Sequence, residues 1–355
     1  FLHVTLQSGA PAMAADYRRV EPKRFPQVQE HDTAEARYWR RFTRPQVETH
    51  PAPVTCVHFA ATPPHDFAVT CSTHVAVHSG KTGRELRSVG RYEDIAYSAQ
   101  FRADGRLLAS GDKAGVVSVV EAQSKGVLRS WKQHRAPVRV VRWASDGLRL
   151  ASGSDDKTVR LWDLPTSDAL QVRRGHTDYV RALAASPMTP DLFVSGSYDH
   201  SVRLWDMRQA GSVLGVDHGA PVEACLLLPG GGLCASAGGN MIKIWDLLGG
   251  GRLLHTLSNH QKTISCLCLD GTRTRLLSAG LDRHVKIYDL QTYQVTHGLK
   301  FHAPILSLAL SPDNALLVAS TTDGALTVRR REGLPGAGPG TLATGALAGP
   351  GAGAV

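Results

Sequence analysis

The stretch from His134 to Leu164 sets the pattern for most of this chain. VRVVRW mixes apolar and basic positions, Asp146-Gly147 marks a turn, and LRLASGS follows. A second turn at Asp156 then leads into VRLWD. Near-alternation punctuated by turn residues predicts short β-strands joined by tight turns. From His176 the pattern recurs, with a turn at Pro190-Asp191, a strand ending in Ser-Gly-Ser, a turn carrying Asp199 and another VRLWD. Five histidines, His134, His176, His218, His260 and His302, stand 42 residues apart, and the same spacing reaches back to Tyr92 and His50. Trp162-Asp163, Trp205-Asp206, Trp245-Asp246 and Tyr288-Asp289 close four of these repeats, while His78, Val120 and Arg329 hold the matching places in the other three. Two independent rulers therefore agree on seven small β-units.

A repeat of this length, opening near a His and ending in Trp-Asp, resembles the WD-repeat β-propeller with four strands per blade. The chain is thus predicted to be all-β, a seven-bladed WD-repeat propeller with a disordered C-terminal tail. The resemblance implies a buried hydrogen-bonded tetrad in the best-formed blades: His134, Ser152, Asp156 and Trp162 in blade three, and His176, Ser195, Asp199 and Trp205 in blade four. A His, a Ser and an Asp in one network could also be a catalytic triad. Recurrence of the set in blade after blade argues instead for a structural role, since a nucleophile is not needed several times over. Asp155, beside the tetrad, reads as a solvent-side neighbour. Ala114 replaces the turn Asp in blade two, Gly239 does so in blade five, and Tyr288 stands in for Trp in blade six. Blades one, two and seven read as degenerate.

Residues 49–332 are assigned to the propeller. Residues 1–12 are expected to be an upstream or non-native leader, with Met13 as the natural start. Residues 13–48 are expected to hold a ring-closing strand and a short basic helix. Blade seven has no fourth strand downstream, so the segment Tyr17–Glu21 is expected to pair with Leu326–Arg329. Thr33–Phe42 reads as the helix, with Pro45 as its stop. Residues 333–355 are Gly/Ala/Pro-rich and expected to be disordered.

Composition narrows the function. The six cysteines, Cys56, Cys71, Cys225, Cys234, Cys266 and Cys268, show no metal-ligand pairing and fit small core residues in a reducing compartment. No apolar run reaches membrane-spanning length. The glycine clusters at 230–232 and 249–251 lack the residues that follow in phosphate-gripping loops, so they read as turns. Neither a catalytic constellation nor a cofactor or metal site is expected. The net charge of +9 is compatible with a solvated surface or with nucleic-acid phosphates. The candidates for phosphate contact are Arg18, Arg19, Lys23, Arg24, Arg40 and Arg41.

Several ordered stretches carry a narrower likeness: RYEDIAYSAQFRADGRLLASGD (91–112), PDLFVSGSYDHSVRLWD (190–206), HGAPVEACLLLPGGGLCASAGGNMIKIWDLLGGGRLL (218–254), NHQKTISCLCL (259–269), GLDRHVKIYDL (280–290) and YWRRFTRP (38–45). Over 17–332 the chain resembles the U3 small nucleolar RNA-associated protein 15 family, including SAGG where other blades have the turn Asp. The resemblance implies a nucleolar, non-catalytic scaffold of the small-subunit processome, acting in ribosomal RNA precursor processing and linked to ribosomal DNA transcription. It implies as partners the other early processome subunits, WD-repeat and helical proteins, and the 5′ external spacer of the precursor, with no membrane and no small-molecule substrate. Family members carry a C-terminal helical domain after the propeller. Here a Gly/Ala/Pro tail occupies its place, and a gene-model error is the expected reason. Alternatives are a substrate receptor of a cullin-type ubiquitin ligase, suggested by Trp205-Asp206-Met207-Arg208, and a generic protein-interaction propeller.

Overall fold

The computed structural model describes residues 33–332 apart from 125, 167 and 168. Its strands fall into seven four-stranded antiparallel sheets. Their first strands are Val54–Phe59, Ala96–Phe101, Val138–Trp143, Val180–Ala185, Val222–Leu227, Ile264–Leu269 and Ile305–Leu310. Each first strand packs against the next, and Ile305–Leu310 packs back on Val54–Phe59, so the ring closes. Apolar residues on facing sheets fill the gaps between blades. Val138, Val141, Trp143, Leu150 and Trp162 of blade three, for example, cluster with Leu107, Val117 and Trp131 of blade two. Burial of this kind, repeated around a ring, is what a single sheet cannot obtain alone.

The third-strand register places the Trp-position residues where the second ruler has them. Leu150 faces Trp162 and Phe193 faces Trp205, while Phe67 faces His78, Leu108 faces Val120 and Leu317 faces Arg329.

Closure departs from the expected strand. The fourth strand of blade seven is Phe42–Thr49, antiparallel to Ala325–Arg331, with Glu48 opposite Leu326 and Gln46 opposite Val328. Both edges of Ala325–Arg331 are thereby occupied, which corrects the assignment of this place to Tyr17–Glu21; that segment lies outside the described residues. The helix is Ala34–Arg40. Pro45 does not stop it but sits inside the closing strand, between Thr43 and Gln46 where the register shifts. Proline lacks the N–H for a ladder bond, so an edge strand with a bulge is where it is tolerated. The helix buries Trp39, which stacks on Phe42 at 5.3 Å and joins Leu299 and Phe301 in the core between blades six and seven. Glu35 ties it down, accepting from Trp39 Nε1 at 2.7 Å and from both Arg275 Nε and NH2 at 2.5 and 2.7 Å. No helix among the described residues is long and apolar enough to cross a membrane.

Candidate interaction surfaces

The structure brings the blade-four set together as a chain of hydrogen bonds. Trp205 Nε1 donates to Ser195 Oγ at 2.7 Å, Ser195 Oγ lies 2.6 Å from His176 Nε2, and His176 Nδ1 lies 2.9 Å from Asp199 Oδ2. Blade three repeats it, with Trp162–Ser152 at 2.8 Å, Ser152–His134 at 2.7 Å and His134–Asp156 at 2.7 Å. Burial pushes His134, His176 and His260 below the ordinary histidine value, although their aspartates pull the other way. A neutral imidazole then donates from Nδ1 and accepts at Nε2, which satisfies every member. For Asp199, burial would raise the pKa. Hydrogen bonds from Ser201, Thr177 and His176 outweigh it and hold the carboxyl well below the usual range. Neither serine is exposed to a substrate, so the arrangement fastens strands together rather than performing chemistry.

The incomplete blades show how each departure is accommodated. In blade five Ala237 pairs with Ile242 across four residues, one fewer than the five between the equivalent pair Gly153 and Val159 of blade three. The turn Asp is therefore deleted rather than replaced, and Gly239 takes φ +55°, a conformation that favours glycine. His218 turns its ring over, with Nδ1 2.8 Å from Ser236 Oγ and Nε2 3.3 Å from the Gly238 carbonyl. In blade six His260 keeps Ser278 and Asp282 at 2.6 and 2.9 Å. Burial pushes Tyr288 up to about 12, with Ser278 pulling it down, yet its hydroxyl meets no partner in hydrogen-bond geometry.

Every first strand also carries a bulge near its start. The register skips Thr55, Tyr97, Arg139, Arg181, Glu223, Ser265 and Leu306. A bulge re-aims the extra side chain, and these seven line one cavity of about 300 Å³ at one mouth of the central channel. Arg139 lies 3.9 Å over the Tyr97 ring, and Arg181 lies near Tyr198 at 4.9 Å and Tyr179 at 5.5 Å. Asp155 clasps both cations, 2.8 Å from Arg139 Nε and 2.9 Å from Arg181 Nε. The second contact is a charge pair rather than an aligned hydrogen bond. Asp155 is thus not a solvent-side neighbour: its side chain is 9% exposed, because the bulge aims two guanidiniums at it. Tyr198 donates to Glu223, and burial followed by that carboxylate pushes its hydroxyl up to about 12. Two arginines facing two carboxylates leave this mouth locally balanced, polar and aromatic.

The opposite mouth differs in charge. A cavity of about 410 Å³ there is lined by Arg102, Arg142 and Arg273, with His58, Gln100 and Ser145; its lining holds no carboxylate, although Asp104 beside it pairs with Arg102. Burial, helped by Arg142, depresses His58 to about 3, so His58 stays uncharged. Arg40 and Arg41 are exposed beside the helix, whereas Arg18, Arg19, Lys23 and Arg24 lie outside the described residues.

The family description "WD domain, G-beta repeat" matches residues 125–163, 167–206, 251–289 and 293–328. The chain is 41% identical over 318 residues to the U3 small nucleolar RNA-associated protein 15 homolog of Xenopus laevis, covering 90% of this chain and 62% of that protein. It is 41% identical over 318 residues to the Homo sapiens homolog, at 90% and 61% coverage. The Schizosaccharomyces pombe protein of that name is 42% identical over 322 residues, at 90% and 65%. Over its propeller the chain is similar to the U3 small nucleolar RNA-associated protein 15 family. The chain spans about three fifths of the length of these relatives. The bulge residues, which sequence reading missed as a set, sit on the same 42-residue ruler: Thr55, Tyr97, Arg139, Arg181, Glu223 and Ser265 each follow a mark of the His series by five. Their variety of residue types hid them, because the ruler was read through repeated identities.

Proposed function

We propose that this chain is a non-catalytic scaffold of the small-subunit processome, acting in the nucleolus on ribosomal RNA precursor processing. The single observation that carries the reading is identity of about 41% over 90% of the chain to proteins named for association with U3 small nucleolar RNA. The structure is compatible with it: the Ser-His-Asp sets are consumed in holding blades, leaving two chemically different channel mouths as surfaces. The balanced mouth around Arg139, Arg181, Tyr97 and Tyr198 suits a protein partner, since aromatics and arginine dominate interface energetics. The mouth with Arg142 and Arg273 suits precursor-RNA phosphates, with Arg102 held by Asp104 beside them, and Arg40 and Arg41 are proposed to extend that contact. The N-terminal candidates Arg18, Arg19, Lys23 and Arg24 join them in this proposal. Other early processome subunits are the proposed protein partners, and a role in ribosomal DNA transcription is the secondary proposal.

Trp205-Asp206-Met207-Arg208 does not favour the ubiquitin-ligase alternative. Arg208 folds back on Asp206, its Nε 2.9 Å from Oδ1 and its NH2 2.7 Å from Oδ2, so its charge is engaged within the motif. The test is depletion of the protein in its own cells with readout of small-subunit RNA precursors by hybridisation. Accumulated unprocessed precursor, restored by re-expression, is expected; unchanged small-subunit RNA maturation would overturn the reading.

A further inference from the structure

Blade one holds the wrong partners for its own tetrad. His50 occupies the histidine place, Val69 stands where other blades have serine, and His78 stands in the tryptophan place opposite Phe67. The turn between Cys71 and His74 has no room for the aspartate. In blades three, four and six both imidazole nitrogens are engaged by serine and aspartate. In blade one the buried Nε2 of His50 and the buried Nε2 of His78 meet no hydrogen-bond partner, and the His78 side chain is 0% exposed. The closing strand supplies a third group. Glu48 Oε2 lies 3.6 Å from His78 Nδ1, which is also 3.4 Å from the Gly83 carbonyl. The two imidazole rings meet edge to face at 6.0 Å. One ligating atom from each of Glu48, His50 and His78 falls within 4.8 Å of the others.

Leaving the buried His50 Nε2 unpaired costs roughly 1–3 kcal/mol, so its persistence calls for a partner, while on His78 the nitrogen that faces Glu48 is Nδ1. Two imidazoles and a carboxylate are a donor set for borderline transition metals, whereas magnesium and calcium take oxygen. Donors at about 2.0–2.2 Å from a tetrahedral ion stand about 3.3–3.6 Å apart. The Glu48–His78 pair already has that spacing. His50 is the group that must draw in, by no more than about 1.5 Å from the 4.8 Å limit, to complete the set.

We propose that Glu48, His50 and His78 bind one divalent transition-metal ion of the zinc class. The ion ties the closing strand Phe42–Thr49 to blade one across the seam of the ring. A cavity of about 310 Å³, bounded by His50, His74, Glu85 and Ser88 among others, provides access and room for water on the remaining coordination position. Glu85 faces His78 in the strand register and adds a second carboxylate nearby. The bland role for His78 is a flat ring stacked on Phe67 at 5.2 Å in place of tryptophan. That role needs neither Glu48 nor His50.

The test uses the full chain stripped of metal, titrated with cobalt(II) by visible absorption and with zinc(II) by calorimetry. One equivalent of each is expected to bind, with an absorption intensity typical of low coordination number, and zinc is expected to raise the melting temperature. Glu48→Gln, His50→Asn and His78→Phe are each expected to weaken zinc binding at least about tenfold, the scale seen when a metal site loses a supporting group. His302→Asn, on the far repeat position of blade seven, is expected to leave it unchanged. Glu48→Gln removes no core side chain, so it decides the matter if His78→Phe does not fold. Absence of saturable one-equivalent binding, or binding that survives all three substitutions, would overturn the proposal.

Discussion

Asp199 and Asp323 occupy the same turn position in blades four and seven, and each faces the histidine of its repeat, yet their surroundings differ. Asp199 is 6% exposed and accepts from His176 Nδ1 at 2.9 Å, Thr177 N at 2.9 Å, Ser201 N at 2.9 Å and Ser201 Oγ at 2.7 Å. Behind His176 stand Ser195 and Trp205, wholly buried. Asp323 is 45% exposed against a His302 that is 53% exposed, and blade seven has Arg329 and Ala319 where the tryptophan and serine would be. Asp199→Ala strands His176 Nδ1 and the part-buried Ser201 N–H, whereas the Thr177 N–H, on an exposed residue, turns to water. At roughly 1–3 kcal/mol per stranded buried group, and with Ser201 Oγ still 3.2 Å from His176 to relieve part of the loss, the net cost is about 2–4 kcal/mol. Asp323→Ala hands its partners to solvent and should cost under about 1 kcal/mol. For roughly 300 folded residues the unfolding entropy converts the first figure to a fall of about 3–6 °C in melting temperature and the second to under about 2 °C. Differential scanning calorimetry of the two variants beside the parent measures this. Equal falls, or a larger fall for Asp323→Ala, would refute burial of the tetrad as the source of its stability.

Asp155→Ala should cost about 1–3 kcal/mol, a loss comparable with that of Asp199→Ala, because it strands Arg139 and Arg181 at the channel mouth; an unchanged chemical-denaturation midpoint would refute the clasp. Trp39→Ala should cost about 3–5 kcal/mol, since the indole is fully buried between blades six and seven; a loss under about 1 kcal/mol would mean the helix is not docked. His218 is depressed by burial from 6.5 to about 4, so the folded state stays neutral while the unfolded chain takes up a proton. Its contribution is complete above pH 6.5 and falls away as pH drops from 6.5 to about 4, by roughly 3 kcal/mol in all. The depressed aspartates Asp156 and Asp199 add their own losses only below about pH 4. Urea unfolding across that range is the check, and a flat profile between the two values would contradict the buried neutral imidazole.

The repeat was legible because it is built on identities: a His, a Trp-Asp and a 42-residue spacing survive even where individual blades are worn. Register followed from it, down to Val120 and Arg329 in the tryptophan place. Closure was not legible. Phe42–Thr49 carries a proline and reads as a helix stop, and only the vacant edge of Ala325–Arg331, together with the bulge that accommodates Pro45, makes it a strand. Asp155 was misjudged for a related reason. Its exposure is set by two guanidiniums arriving from neighbouring first strands, and that meeting depends on bulges in the ladder. Gly239 stands in blade five because the turn lost a residue, which a position-by-position reading records as a substitution. His50 and His78 belong to blade one and Glu48 to the strand that closes blade seven, so only closure of the ring sets the carboxylate beside His78.

The central claim is that this propeller works as an RNA-processing scaffold rather than as an enzyme or a ligase receptor. The most direct measurement is to tag the chain at its chromosomal locus, crosslink with ultraviolet light, sequence the bound RNA and identify the co-purifying proteins from the same cells. Enrichment of the 5′ external spacer of the ribosomal RNA precursor together with U3-associated proteins is expected. RNA recovery should fall steeply as salt rises, because phosphate contacts release counterions. Recovery of a ligase adaptor with no spacer RNA and no U3-associated protein would contradict the claim.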